Sequence, residues 1–311
     1  MQSSVVRFSL TIHKKLIILI AIVVIVTIGL AIFQPRQHPP APPLPIPNGY
    51  DDFVKARQML ATNAGDYYLM NAGELHELMA QNSNALSLVR TGLSHESRVP
   101  LAYSQDHMRS HLSELASMKA LAQALAAEGK LAELEHRNSD AARAYLDAMR
   151  LGNEAARGGP LIDALVRIAI ESIGSTGLQS VATNLGVNEC REVVVALETI
   201  GKNEESFEDV MKSQKEWSRR SYSFYQRISG SFMRLFNVGS IKQAMQKAEQ
   251  KFQSQSQKRK ALLIGIAARA YELEKNRQPE NISNLVPDYL KEIPKDPITG
   301  TNMVLRLLKE K

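Results

Sequence analysis

The chain has 311 residues, of which 44% are hydrophobic, 23% charged and 6% aromatic, with a formal net charge of +6. That balance excludes a chain too polar to bury a core, and the abundance of Ala and Leu with few aromatics favours helix over sheet. Cys190 is the only cysteine, which excludes an internal disulfide framework and any zinc site built from cysteines.

Residues 1–15 read as a cytoplasmic N-terminus. Leu16 to Phe33 follow as LIILIAIVVIVTIGLAIF, an uncharged run of 18 residues. At 1.5 Å per residue this is about 27 Å, close to the apolar thickness of a bilayer. The run is longer than the apolar region of a cleavable signal peptide, and Gln34, Pro35 and Arg36 follow it instead of a small-residue cleavage site. It is therefore expected to be an uncleaved transmembrane helix, with the lipid bilayer as its partner. Arg7, Lys14 and Lys15 precede it and Arg36 alone lies close behind. The positive-inside rule then puts the N-terminus in the cytoplasm and the main domain outside the inner membrane, periplasmic or extracellular. Residues 34–49 form a linker with seven prolines between Pro35 and Pro47, a semi-rigid spacer reaching roughly 40 Å at about 3.1 Å per residue.

From residue 50 to 260 the periodicity is helical. Phe53, Ala56, Met59 and Leu60 share a face, as do Leu75, Leu78 and Met79, then Leu86 and Val89. Pro100 breaks the pattern. Met108 to Arg150 reads as two long helices with a polar break at His136 to Ser139. Pro160 suits the first turn of the next helix. There Leu161, Leu165, Ile168 and Ala169 mark the expected buried face of the most buried helix. Asp163, Arg167 and Glu171 recur every fourth residue on it. They fit a solvated stripe of i,i+4 pairs better than a polar site in a groove. Glu192 to Ile200 reads as another helix, Asn203 to Lys260 as a long polar helical stretch, and Ala261 to Glu274 as an apolar helix. Residues 261–311 make the C-terminal segment, which is irregular or β. The expected fold class is thus mainly α: one transmembrane helix plus a helical, hairpin-like soluble domain.

The segment SDAARAYLDAMRLG resembles the second helix of a tetratricopeptide repeat. Ala141, Tyr145 and Ala148 hold its small–aromatic–small positions, and Gly129 falls where the first helix carries glycine. Glu128 stands where that repeat has leucine and His136 where a turn glycine is usual, and no second copy follows at a period of about 34 residues. The C-terminal sequence resembles a segment that closes many uncharacterised, N-terminally anchored bacterial proteins and pseudopilin-like, type II secretion protein G-like chains. The matching residues are Tyr271, Pro279, Leu285, Val286, Pro287, Tyr289, Leu290, Ile293, Pro294, Asp296, Pro297 and Gly300. The resemblance implies a folding element, a surface-assembly context and no catalytic residue. In the residues themselves, the prolines fix bends, Leu285, Leu290 and Ile293 are spaced to clamp a preceding helix, and Met303 to Leu307 reads as a short strand.

Chemical motifs are sparse. The sequence has no phosphate-binding loop and no nucleophile elbow. His107 and His111 share a helix face near Asp106 and Glu114, but Met108 follows His107, so the zinc-hydrolase pattern is absent. These histidines read as surface residues, and no metal or cofactor is expected. Asp296 has too few acidic neighbours for calcium. Met211 to Lys260 holds twelve Lys or Arg and two Glu, with Trp217, Tyr222, Phe224, Tyr225, Phe232 and Phe236 interleaved. Lys212, Lys215, Arg219, Arg220, Arg227 and Arg234 are its candidate interaction surface, toward lipid headgroups or an acidic envelope protein. With the domain outside the cytoplasm, nucleic acid is not an expected partner. The expected function is a non-enzymatic interaction or scaffold protein of the bacterial envelope. The alternative is an envelope hydrolase, which would need His107, His111 and Glu171 to meet in a cleft.

Overall fold

Helix caps and turns divide the chain much as its sequence suggests. The computed structural model describes residues 43–61, 64–101, 105–221 and 224–308, and their side chains except at 105–108 and 224–241. The described residues belong to one compact unit. The expected membrane span, 16–33, lies outside the described residues. Among those described, no helix is long and apolar enough to cross a membrane.

Eight α-helices carry the described fold: α1 (Gly49–Gln58), α2 (Ala72–Leu93), α3 (Gln105–Leu134), α4 (Asn138–Ala156), α5 (Leu161–Val181), α6 (Val187–Lys202), α7 (Phe207–Ser221) and α8 (Phe224–Lys275). The Asn48 side chain caps α1 by accepting from the Tyr50 N–H. Asn71 and Glu74 form a reciprocal capping box on α2. The break between α3 and α4 falls at Glu135–Arg137, where His136 takes a φ of 59°. His136 thus takes the left-handed conformation that glycine adopts most readily, and the turn forms without a glycine.

Two large apolar clusters form the core. One gathers α1, α2, α3 and α4 around Phe53, Leu75, Leu121, Leu125 and Leu151. The other gathers α4, α5, α6, α8 and the C-terminal segment around Tyr145, Leu178, Leu197, Ile264 and Leu290. Tyr145 is the key between α3, α4 and α5. A Cβ placed on Gly129 would lie 2.6 Å from its ring, and one on Gly177 2.2 Å. Glycine at both positions lets the helices close over the aromatic side chain.

The orientation of α5 corrects the sequence reading. Leu161, Leu165 and Ile168 are only half-buried, against Val210 and Phe252, and Ala169 is exposed. The fully buried face instead carries Asp163, Arg167, Ile170, Glu171, Gly174 and Leu178. The reason is steric. A Cβ on Gly174 would sit 2.5 Å from the Tyr145 carbonyl oxygen, so this face is the one that can approach α4 most closely. The polar side chains on it go inward with the backbone. The polar and apolar helices expected on either side of residue 260 are likewise continuous as α8, while α7 is separated from α6 by residues 203–206.

The C-terminal segment clamps α8. Leu285 and Leu290 are buried, Tyr289 meets Tyr271 edge-on at 5.4 Å between centroids, and the Tyr289 hydroxyl donates to Glu274 over 2.9 Å. Asp296 caps its own turn: Oδ1 accepts from the Ile298 and Thr299 amides at 2.7 and 3.1 Å, and Oδ2 from Gln257 at 2.7 Å. Gly300 takes the positive φ, 73°, that this turn demands. Met303 to Leu307 is not a strand. The pairing found there among the described residues is a single bridge, Lys295 with Asn302, so the tail is irregular.

Candidate functional site

The inward stripe of α5 organises the polar interior. Asp163 stands one turn from Arg167, and Arg167 one turn from Glu171, and all three are buried. Each recruits partners from other helices, giving two adjoining clusters. The solvated stripe expected from the sequence is thus overturned, because the residues that neutralise it come from elements distant in the chain.

The first cluster surrounds His111 of α3. Its Nε2 lies 2.7 Å from Asp163 Oδ1, and the two side chains are 1% and 0% exposed. Its Nδ1 faces Tyr50 Oη at 3.4 Å and Glu114 Oε2 at 3.5 Å. The Tyr50 hydroxyl donates to Glu114 Oε2 over 3.1 Å. Burial opposes a charge on the imidazole, but Asp163 and Glu114 outweigh it and raise the His111 pKa. Burial also raises Asp163, and His111 pulls it back only in part. Burial, with Glu114 and Asp163 adding to it, pushes Tyr50 far up, so its hydroxyl keeps its proton. Asp163 Oδ2 makes no hydrogen bond among the described residues. Gly159 abuts this carboxylate closely: a Cβ there would be 2.5 Å from Asp163 Cγ.

The second cluster is a buried quartet of two arginines and two glutamates. Arg167 Nη1 lies 2.5 Å from Glu204 Oε1, and Arg259 Nη1 lies 2.6 Å from Glu171 Oε1. Arg259 also bonds Glu204 through Nη2. Arg167 Nη1 reaches Asn153 Oδ1 at 3.5 Å, and Asn153 in turn donates to the Ile200 carbonyl over 3.1 Å. The guanidinium of Arg167 lies 4.9 Å from the Phe252 ring centroid. Burial works to raise Glu204, yet Arg259 and Arg167 overcome it and hold its carboxyl below the usual range. Arg259 is raised despite its burial, because Glu171 and Glu204 flank it. Formal charges cancel within the quartet, which is what lets four ions stay out of water.

His111 was expected at the surface and is instead nearly enclosed. The side chain of His107 lies outside the described residues. His111 and Glu171 do not meet; each belongs to a different cluster. Among the described residues, no group of three or more His, Cys, Asp or Glu is placed to hold a metal. Cys190 is buried, and desolvation pushes its thiol up to about 12, so it rests as a thiol. Of the basic candidates, Lys212 pairs with Glu208 and Asp209 at 3.3 and 3.1 Å, and Arg220 with Glu216 at 2.6 Å. Lys215 and Arg219 are exposed, while the side chains of Arg227 and Arg234 lie outside the described residues. Trp217 faces inward. The basic run also contains Arg259, which is a member of the buried quartet and not of a surface patch.

Tyr50, Asn153, Glu204 and Arg259 escaped the sequence reading. Glu204 sits between helices and Arg259 inside a run of lysines, so neither shows a periodic signal. Asn153 also lines an open groove of about 520 Å³ formed by the end of α2, α4 and α6, together with His95, Arg150, Arg157 and Asn203. No family model, curated protein or solved structure matches the chain.

Proposed function

We propose that this protein is a membrane-anchored, non-enzymatic interaction or scaffold protein of the bacterial cell envelope. Residues 16–33 hold it in the inner membrane, the proline-rich linker stands it off, and the helical domain presents its surface outside the cytoplasm. The observation that carries this reading is the internal pairing of the polar interior. Arg167, Glu171, Glu204 and Arg259 are paired with one another, with Arg167 Nη2 and Glu171 Oε2 making no hydrogen bond among the described residues, while open grooves remain between helices. Such an interior fixes the packing of the helices and leaves recognition to the surface. The close fit of Tyr145 over Gly129 supports reading α3 and α4 as a tetratricopeptide-like hairpin. The clamp of Tyr289 and Leu290 on α8 supports reading the C-terminal segment as the pseudopilin-like folding element.

In-cell crosslinking of the tagged full-length protein, with purification in mild detergent, tests the proposal. Envelope proteins should be recovered reproducibly and lost when Lys212, Lys215 and Arg219 are reversed to Glu. Point reversals replace deletion of the basic run, because Arg259 and Phe252 within it are part of the interior. Recovery of the protein alone would sink the reading.

A further inference from the structure

A second groove, of about 430 Å³, lies between α5, the middle of α8 and the C-terminal tail. Its character differs from that of the interior. Ser172, Ser175, Thr176 and Gln179 line one wall, Gln257 and Lys258 another, and Arg306 to Leu308 the third, with no carboxylate among them. Lys258 and Arg306 are exposed and neither has an acidic partner among the described residues. Lys212, Arg137 and Arg191 are neutralised by near neighbours, whereas Lys258 and Arg306, like Lys215 and Arg219, form no ion pair among the described residues.

The tail forming the third wall has an open backbone. Met303 N–H donates to the Pro294 carbonyl over 2.9 Å. Beyond it, Val304 to Leu308 make no backbone hydrogen bond among the described residues. The tail is nevertheless held in place. Leu308 rests on α8, where a Cβ on Gly265 would come within 2.8 Å of its Cδ2. Met303 is buried, while Val304 and Leu307 are 69% and 46% exposed. A fixed ledge with unused amide and carbonyl groups, flanked by exposed apolar side chains, matches what an added peptide chain requires.

The geometry points to this groove as the docking site for an extended acidic peptide of a partner protein. Its backbone would pair with the Val304–Leu308 ledge, and its carboxylates would meet Lys258 and Arg306. Small hydroxyl-bearing residues on α5 leave room for the peptide and accept from its amides. Charge complementarity selects this occupant over a basic or purely apolar one. The inference rests on the interaction-protein reading and names where that interaction is made.

The test is fluorescence anisotropy on the full-length protein in detergent, with a fluorescein-labelled peptide of alternating Glu and Val. Saturable binding is expected. It should weaken about tenfold when both rim charges are reversed in Lys258→Glu/Arg306→Glu, with circular dichroism unchanged. The counterpart peptide with Lys for Glu should not bind, and N-methylation of alternate amides should weaken the acidic peptide by a similar factor. Equal binding to wild type and variant, or indifference to N-methylation, overturns the assignment. Tighter binding of inorganic polyphosphate at the same residues would make the groove a general polyanion site and would also overturn it. Absence of peptide binding while crosslinking still recovers envelope partners removes this groove and leaves the interaction reading intact. Failure of both removes both.

Discussion

The two polar clusters on α5 are neighbours in sequence and opposites in electrostatic construction. Around His111, one cation-forming group faces two carboxylates and a tyrosine, and His111, Asp163 and Tyr50 are each raised above their ordinary values. One turn away, two guanidiniums that cannot release protons face two glutamates, and Glu204 is held ionised. The same helix thus carries a protonation-dependent junction and a permanently charged one. The lesson is that a buried acid's shift depends on whether its cationic partners outweigh burial: burial prevails at Asp163, which faces one imidazole, and two guanidiniums prevail at Glu204.

The largest effect should come from breaking the permanent cluster. Arg259→Ala leaves Glu171 buried without the guanidinium that bonds it at 2.6 Å, and a loss of about 3–5 kcal/mol is expected. Thermal and urea unfolding would register it. A quadruple replacement, Arg167→Met, Glu171→Leu, Glu204→Leu and Arg259→Met, should recover much of that loss, because apolar side chains need no partners. A single substitution that changes stability by less than about 1 kcal/mol would mean that the quartet is hydrated and weakly coupled. Asp163→Asn should do less, about 0.5–1.5 kcal/mol, since it can keep a hydrogen bond to His111 and burial already disfavours the charge it removes.

The pH dependence of unfolding separates the two clusters by sign. His111 is raised above its ordinary value of 6.5, so its contribution is complete below that value and is lost as pH rises through the folded pKa. Glu204 is lowered below its ordinary 4.5, so its contribution is present above that value and is lost as pH falls through the folded pKa. Asp163, raised above 3.8, runs counter to Glu204, because its contribution is present at low pH and fades as pH rises. His111→Gln should flatten the fall in stability above neutrality and, by removing the imidazole that pulls Asp163 down, raise Asp163 further. Glu204→Gln should flatten the acid limb and leave the alkaline one. If either variant alters both limbs equally, the clusters titrate as one unit and the contrast between them fails.

How far all this could be read from the residues depends on the distance over which partners meet. The helices were legible because local signals mark them: Pro160 at the start of α5, and regular apolar spacing within. The α3–α4 hairpin was legible for the same reason, with its polar break near His136. The inward face of α5 was not. Asp163, Arg167 and Glu171 have the spacing of an exposed stripe, and only partners 52, 37 and 88 residues away make them an interior one. Likewise the composition of the basic run concealed Arg259, whose role is set by Glu171 and Glu204 rather than by the lysines beside it. Periodicity reports which residues share a face; it does not report what that face meets.

The smallest effect belongs to the surface charges that composition made most conspicuous. Lys212 is 67% exposed and, among the described residues, bonded to the exposed Glu208 and Asp209 of its own helix, and Lys215 and Arg219 are exposed. Ion pairs in water are screened and contribute little. Reversing Lys212, Lys215 and Arg219 to Glu should therefore leave the melting temperature within error of wild type, whereas Arg259→Ala in the same run of sequence should lower it strongly. Arg259 and Lys212 share a charge and a segment but not an environment, so the ratio of the two effects measures how much of the basic run serves the fold. A melting temperature lowered by the surface triple variant as much as by Arg259→Ala would erase that distinction, and the basic face of α7 would then have to be counted among the contacts that hold the domain together.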